Sequence, residues 1–220
     1  MGKGLGRKLR LGSGLVLFVF VTTHFINHAL GNISLGALEA GREVFTALWR
    51  NWPATILLYG AMLIHVCASL LAIWQRRTLR MSQAEIVQIA LALCIPFLLP
   101  VHVLATRGLN EFYGINDSYL YEILSIWIFE PLYGWLAALA VLIIWGHGCI
   151  GLHLWLRLKP WYGPARIWLL AMAILLPAFA LSGFAGAGKH ISLWARDHAW
   201  LTSLFSSFSL FFSFLSFFLF

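Results

Sequence analysis

Five stretches of about twenty residues, almost free of charged side chains, limit this chain to very few folds. They cover roughly 11–30, 53–74, 86–106, 131–158 and 165–188. A helix needs about twenty apolar residues to cross about 30 Å of hydrocarbon. The expectation is therefore an all-α transmembrane protein, a helical bundle of five to six spans. Composition agrees: 61% of residues are hydrophobic and 10% charged, against about 25% charged in soluble domains. A net charge of +7 is the kind of value that points to nucleic acid. Here the basic residues stand at the ends of the apolar runs, where they orient helices in a bilayer, and nucleic-acid binding is excluded as a reading.

The first run follows Lys3, Arg7, Lys8 and Arg10 and lacks the small-residue cleavage pattern of a secretory signal, so it stays as a helix. The second starts at Pro53, a favourable first-turn residue, and stops before Arg76, Arg77 and Arg80. The third carries Pro96 and Pro100, which predict a kink near its far end. The fourth begins near Pro131 and ends before Pro160 and Pro164; the fifth contains Pro177. The N-terminus and the loops 75–85 and 157–166 hold ten of the fifteen Lys and Arg residues. The positive-inside rule puts these on the cytoplasmic side, with loops 31–52 and 107–130 opposite. Trp49, Trp52, Tyr113, Tyr119, Tyr121 and Trp127 fit an interfacial aromatic belt on that opposite side. The organisation expected is a basic N-terminus (1–10), a transmembrane domain (11–190) and a tail (191–220).

Within the spans lie six of the eight histidines: His24, His28, His65, His102, His147 and His153. Ionisable groups in a membrane interior are costly and by default mark function. At 1.5 Å per residue, His24, His28 and His102 fall about 21–27 Å above the cytoplasmic face, on two helices that both run outward. His65 and His147 fall about 15 Å up, and His153 about 6 Å up, on two helices that run inward. Short loops make sequential helices antiparallel neighbours, so each layer joins one diagonal of a four-helix bundle. Two imidazoles facing across a bundle core suit axial ligation of b-type haem from both sides, and two layers predict two haems in a four-helix haem-binding core. The metal-ligand candidates are His24, His65, His102 and His147. His24 and His28 share a helix face, so either can ligate while the other hydrogen-bonds a propionate or quinone. His153 lies about 120° round its helix from His147 and completes the cofactor-binding candidates. Zinc needs three or four ligands at one depth, with no carboxylate here to help, and copper held by imidazole alone is a weaker fit.

Other features are less specific. Gly60, Gly146, Gly148, Gly151, Gly12 and Gly14 lie near the histidines and suit either a flat macrocycle or close helix packing. Arg50 and Arg107 are outer candidates for propionate pairing, and Arg76, Arg77, Arg157 and Lys159 inner ones, though each also reads as a topogenic charge. Cys67, Cys94 and Cys149 read as packing residues. Residues 203–220 contain only Phe, Ser and Leu. That tract reads either as a sixth span or as the product of a frameshifted pyrimidine-rich stretch, and no function rests on it.

The run Thr23, His24, Phe25, Ile26, Asn27, His28, Ala29, Leu30, Gly31 opens a wider pattern. It continues with the stretch from Tyr59 to His65, His102 with Thr106 and Arg107, and Asp117, Ser118 and Tyr119. The last part is Trp145, Gly146, His147, Gly148, Cys149, Ile150, Gly151, Leu152 and His153, with Trp161 and Tyr162. Over about residues 10 to 190 this resembles the cytochrome-b-type membrane anchor found at the N-terminus of some bacterial class III adenylate and guanylate cyclases. That anchor is similar in turn to the di-haem membrane subunit of succinate dehydrogenases and fumarate reductases. The resemblance implies six spans in the bacterial inner membrane, a cytoplasmic N-terminus, two b haems held by histidines on four helices, contact with quinone, and a homodimer. It also implies a cytoplasmic ferredoxin-like and cyclase region after the last span. No cyclase or iron-sulfur motif follows here, so this chain alone is not expected to be an enzyme. Two functions are in play: a sensor of redox state or quinone that signals to a cytoplasmic cyclase, and a respiratory electron-transfer subunit working with dehydrogenase subunits.

Overall fold

A computed structural model describes residues 3–76, 78 and 80–197. The described residues form an all-α structure in which five helical segments are long and apolar enough to cross a membrane. Helix α1 spans Lys3–Ala29 and closes in a tight 3-10 turn, Leu30–Asn32. Helix α2 is Leu35–Trp49, α3 is Trp52–Trp74 and α4 is Gln83–Val103. A wide π-type turn, Leu104–Gly108, leads from α4 into α5, Leu109–Tyr113. Helix α6, Tyr119–Ile123, runs into a second π-type segment, Leu124–Phe129. Helices α7, Pro131–Leu156, and α8, Tyr162–Asp197, complete the described residues.

Local chemistry sets these boundaries. The Ser34 hydroxyl accepts from the Ala37 amide, and Asn51 does the same for Ala54 just before Pro53 in the first turn of α3. Ser82 and Glu85 form a reciprocal capping box at the start of α4, which satisfies two amides that the helix leaves unpaired. At the other end of α5, Gly114 takes a positive φ of 66°, which releases the chain into the 114–118 link.

Helix α1 packs along α3, and α4 packs along α7. Helix α8 lies against α1 and α7 and joins the two pairs, with Phe25, Trp145, Leu176 and Ala180 as the buried contact. The Trp145 indole donates to the Ala173 carbonyl across this seam at 2.9 Å. A second core caps the other end, where Leu38, Tyr119, Ile123, Leu124, Ala187 and Ile191 bring α2, α6 and α8 together. Close approach of α1 and α8 depends on Gly31 and Gly183, since a Cβ on Gly31 would collide with the Gly183 carbonyl and one on Gly183 with the His28 carbonyl. Neither α1 and α4 nor α3 and α7 pack backbone to backbone, as expected for diagonals, but α3 and α4 also hardly touch. Two helix pairs therefore face each other across a gap, in place of a closed four-helix ring.

Several expectations need correction. The basic residues 3–10 are helical and continuous with the first span. The 31–52 loop is largely the amphipathic helix α2. Trp52 and Tyr113 are exposed as belt residues should be, but Tyr119 is buried and Trp127 packs into the capping core. Of the cysteines only Cys149 packs in a core; Cys67 and Cys94 are exposed on the helix surfaces. The 203–220 tract, His198 and Arg77 lie outside the described residues.

Candidate functional site: opposed histidines in a membrane cavity

Between the α1–α3 and α4–α7 pairs lies a cavity of about 2140 Å³, more than twice the roughly 1,000 Å³ upper end of ordinary small-molecule sites. Its walls are mostly apolar, with His24, His28, His65, His102 and His147 all reaching into it. The structure brings together two of the expected combinations and leaves His153 out of both. His24 on α1 faces His102 on α4 with ring centres 5.8 Å apart, and His65 on α3 faces His147 on α7 at 6.2 Å.

The inner pair is oriented by backbone. His65 Nδ1 donates to the Arg10 carbonyl at 3.1 Å, and His147 Nδ1 donates to the Gln88 carbonyl at 3.0 Å. A proton fixed on Nδ1 leaves Nε2 as a bare lone pair, the arrangement in which second-shell carbonyls usually hold metal-binding imidazoles. Gly14 makes this possible, since a side chain there would press on the His65 ring. The other glycines divide. Gly146, Gly148 and Gly151 make room for Leu91, Phe18 and Gln88, which is helix packing, whereas Gly12 and Gly60 face open space.

The outer pair carries a third ring. His28 Nε2 lies 3.1 Å from His24 Nε2, and the His28 ring meets Tyr119 and Phe184 edge-on. His24 thus lies between His28, which its Nε2 meets, and His102 of α4. His153 takes no part in either pair. It is bonded to the Tyr162 hydroxyl at 2.6 Å, on the side of α7 that faces the start of α8, and it is not among the cavity-lining residues. His190 is exposed on α8.

A polar network closes the outer end. Buried Asp117 takes ion pairs from Arg42 and Arg50, Arg50 also reaches Asn110, and Glu39 accepts from the Tyr119 amide. Arg107 pairs with Glu111, donates to Thr55 and lies over the Tyr59 ring. Arg50 and Arg107 thus already have protein partners. At the inner end Arg76 is bound to Glu85 at 2.8 Å, while Lys159 lies over Trp155.

Sequence reading missed Glu122 on short α6. Its Oε1 is shielded from solvent and has no hydrogen-bond partner, and the residue lines the cavity. Burial, with Asp117 beside it, raises its carboxyl to about 8 against the pull of Arg50. Asn27 Oδ1 and His28 Nδ1, also on the cavity wall, are similarly buried without partners. An acid within an aromatic run was the available signal, but nothing in the sequence says which way it points.

The donor set is suited to some groups and not others. Among the described residues no three His, Cys, Asp or Glu side chains gather as a metal-ion site, which disfavours structural zinc. Opposed pairs suit a metal that needs only two axial nitrogens. With about 2 Å from each nitrogen to such a metal, the ring centres stand about 6 Å apart, close to both separations found here. Comparison with protein-family models, curated proteins and solved structures finds no match for this chain.

Proposed function

We propose that this chain is a b-type haem-binding membrane anchor, with two haems in the cavity between the helix pairs. His24 and His102 would hold one haem, and His65 and His147 the other. The observation that carries this reading is that histidines on four different helices converge as two opposed pairs at two levels of one apolar cavity. When bound, each haem supplies a one-electron redox centre.

The protein's own groups prepare the site. Carbonyls of Arg10 and Gln88 fix the inner tautomers, Gly14 admits the His65 ring, and the surrounding lining is mostly apolar. In this reading the basic end faces the cytoplasm of a bacterium, following the positive-inside rule. Redox state, or a quinone in the bilayer, shifts the packing of the helix pairs, and the shift is passed to a cytoplasmic cyclase. Cyclase or dehydrogenase subunits recovered from native membranes would separate the sensor from the respiratory alternative.

A reduced-minus-oxidised absorbance spectrum of protein from haem-replete cells tests the proposal. A sharp low-spin b-type band is expected, and its absence overturns the reading. His65→Ala and His102→Ala should each remove about half of that band, because they serve different levels. His153→Ala should leave it intact.

A further inference from the structure

The basic end of the cavity carries chemistry that the histidine pairs do not use. Arg7, Lys8 and Arg10 of α1, Arg76 just past α3, and Arg157 and Lys159 just past α7 all line it. The lining carboxylate at this end, Glu85, is already occupied by Arg76 and the Ser82 cap. Beyond the cations the wall turns apolar. Leu63, Leu70, Leu93 and Phe97 line it from α3 and α4, the two helices whose backbones hardly meet, and remain strongly exposed.

A topogenic charge need only sit at the membrane surface, as Arg80 and Arg166 do away from the cavity. Six cations lining one end of a mostly apolar cavity, with only Arg76 held by a carboxylate among the described residues and Lys159 over Trp155, are a more specific arrangement. The complementary molecule has an anionic head at the interface and a long apolar body. Basic pockets between transmembrane helices hold acidic lipid headgroups in this way.

We propose that this end of the cavity is a binding site for an acidic phospholipid, its phosphate among Arg7, Lys8 and Arg157 and its acyl chains in the slot between α3 and α4. The site stands apart from the haem reading, and either can fail without the other.

The test places the full chain in nanodiscs of phosphatidylcholine with a minor share of phosphatidylglycerol. Lipid that survives repeated washing in detergent is then counted by mass spectrometry. The wild-type chain should keep phosphatidylglycerol in preference to phosphatidylcholine. The triple variant Arg7→Gln, Lys8→Gln, Arg157→Gln should lose that preference by about tenfold or more. The pair Arg80→Gln, Arg166→Gln, off the cavity, should retain it. Arg7→Lys with Arg157→Lys, which keeps both charges, should also retain it and guards against a folding defect in the triple variant. No preference in the wild-type chain would overturn the proposal, as would an equal loss in the off-cavity pair. A triple variant that loses haem absorbance but keeps the lipid would assign these cations to haem propionates and equally defeat it.

Discussion

Glu122 holds an acid where neither water nor a hydrogen bond reaches one of its oxygens. Its carboxyl is raised to about 8 in the folded chain, whereas an unfolded glutamate titrates near 4.3. Between those values the folded state keeps a proton that the unfolded state has lost, so stability is fully present below the ordinary carboxylate range and declines as pH rises through about 8. The facing groups are Asp117 and Arg50, with Tyr119, Tyr121 and His28 nearby. Glu122→Gln, which is neutral at every pH, should flatten this fall in thermal melts between about pH 5 and 9. An unchanged pH profile would show that Glu122 is not its source. At the same scale the histidines show what could be read in advance. Depth along each helix placed His24 with His102 and His65 with His147, because rise per residue is fixed. It could not choose between His24 and His28, because four residues apart they share a face, and only the position of α4 decides which ring meets a partner.

At the scale of elements, the α1–α8 crossing depends on two missing side chains. Gly31 and Gly183 bring the backbones so close that Asn32 donates to the Phe179 carbonyl and accepts from Ser182. Gly183→Leu should cost at least about 1–3 kcal/mol, the usual cost of overpacking, seen as a lower melting temperature. Gly163→Leu, in open space at the start of α8, should cost much less. The long helices were legible because twenty apolar residues can do little else, and Pro53 and Pro131 mark the starts of two of them well. Helix α2 was not legible as an element, since its fifteen residues mix Glu39, Arg42 and Glu43 with apolar neighbours and fall short of a span. What holds it in place is distant in sequence: Leu38 packs into the capping core, and Arg42 reaches Asp117. The burial of Tyr119 and the packing of half-buried Trp127 were missed for the same reason, because an interfacial aromatic and a core aromatic look alike until α8 is placed.

For the whole molecule, the buried cores lie behind the cavity and above it, while among the described residues the facing walls of the two helix pairs meet at few points: the histidine pairs, Phe18 on Trp145, Arg76 with Glu85 and Arg107 with Thr55. A ligand that fills the gap and binds only the folded state must raise stability by mass action. Haem-replete protein should therefore melt at a higher temperature than the same protein from haem-starved cells, and equal melting temperatures would count against the cavity as the site. The pairing of helices has one more consequence, in the order of synthesis. Helices α1 and α3 leave the ribosome together, and α4 and α7 follow as a second unit, so each pair can form from its own nearby sequence. Helix α8, which bridges α1 and α7, is the last of the described helices to be made. Until it arrives the two halves are joined only by scattered contacts such as Phe18 on Trp145 and Arg76 with Glu85. The interval before α8 inserts is the natural window for loading a bulky, rigid guest, and α8 then acts as the clasp that closes behind it.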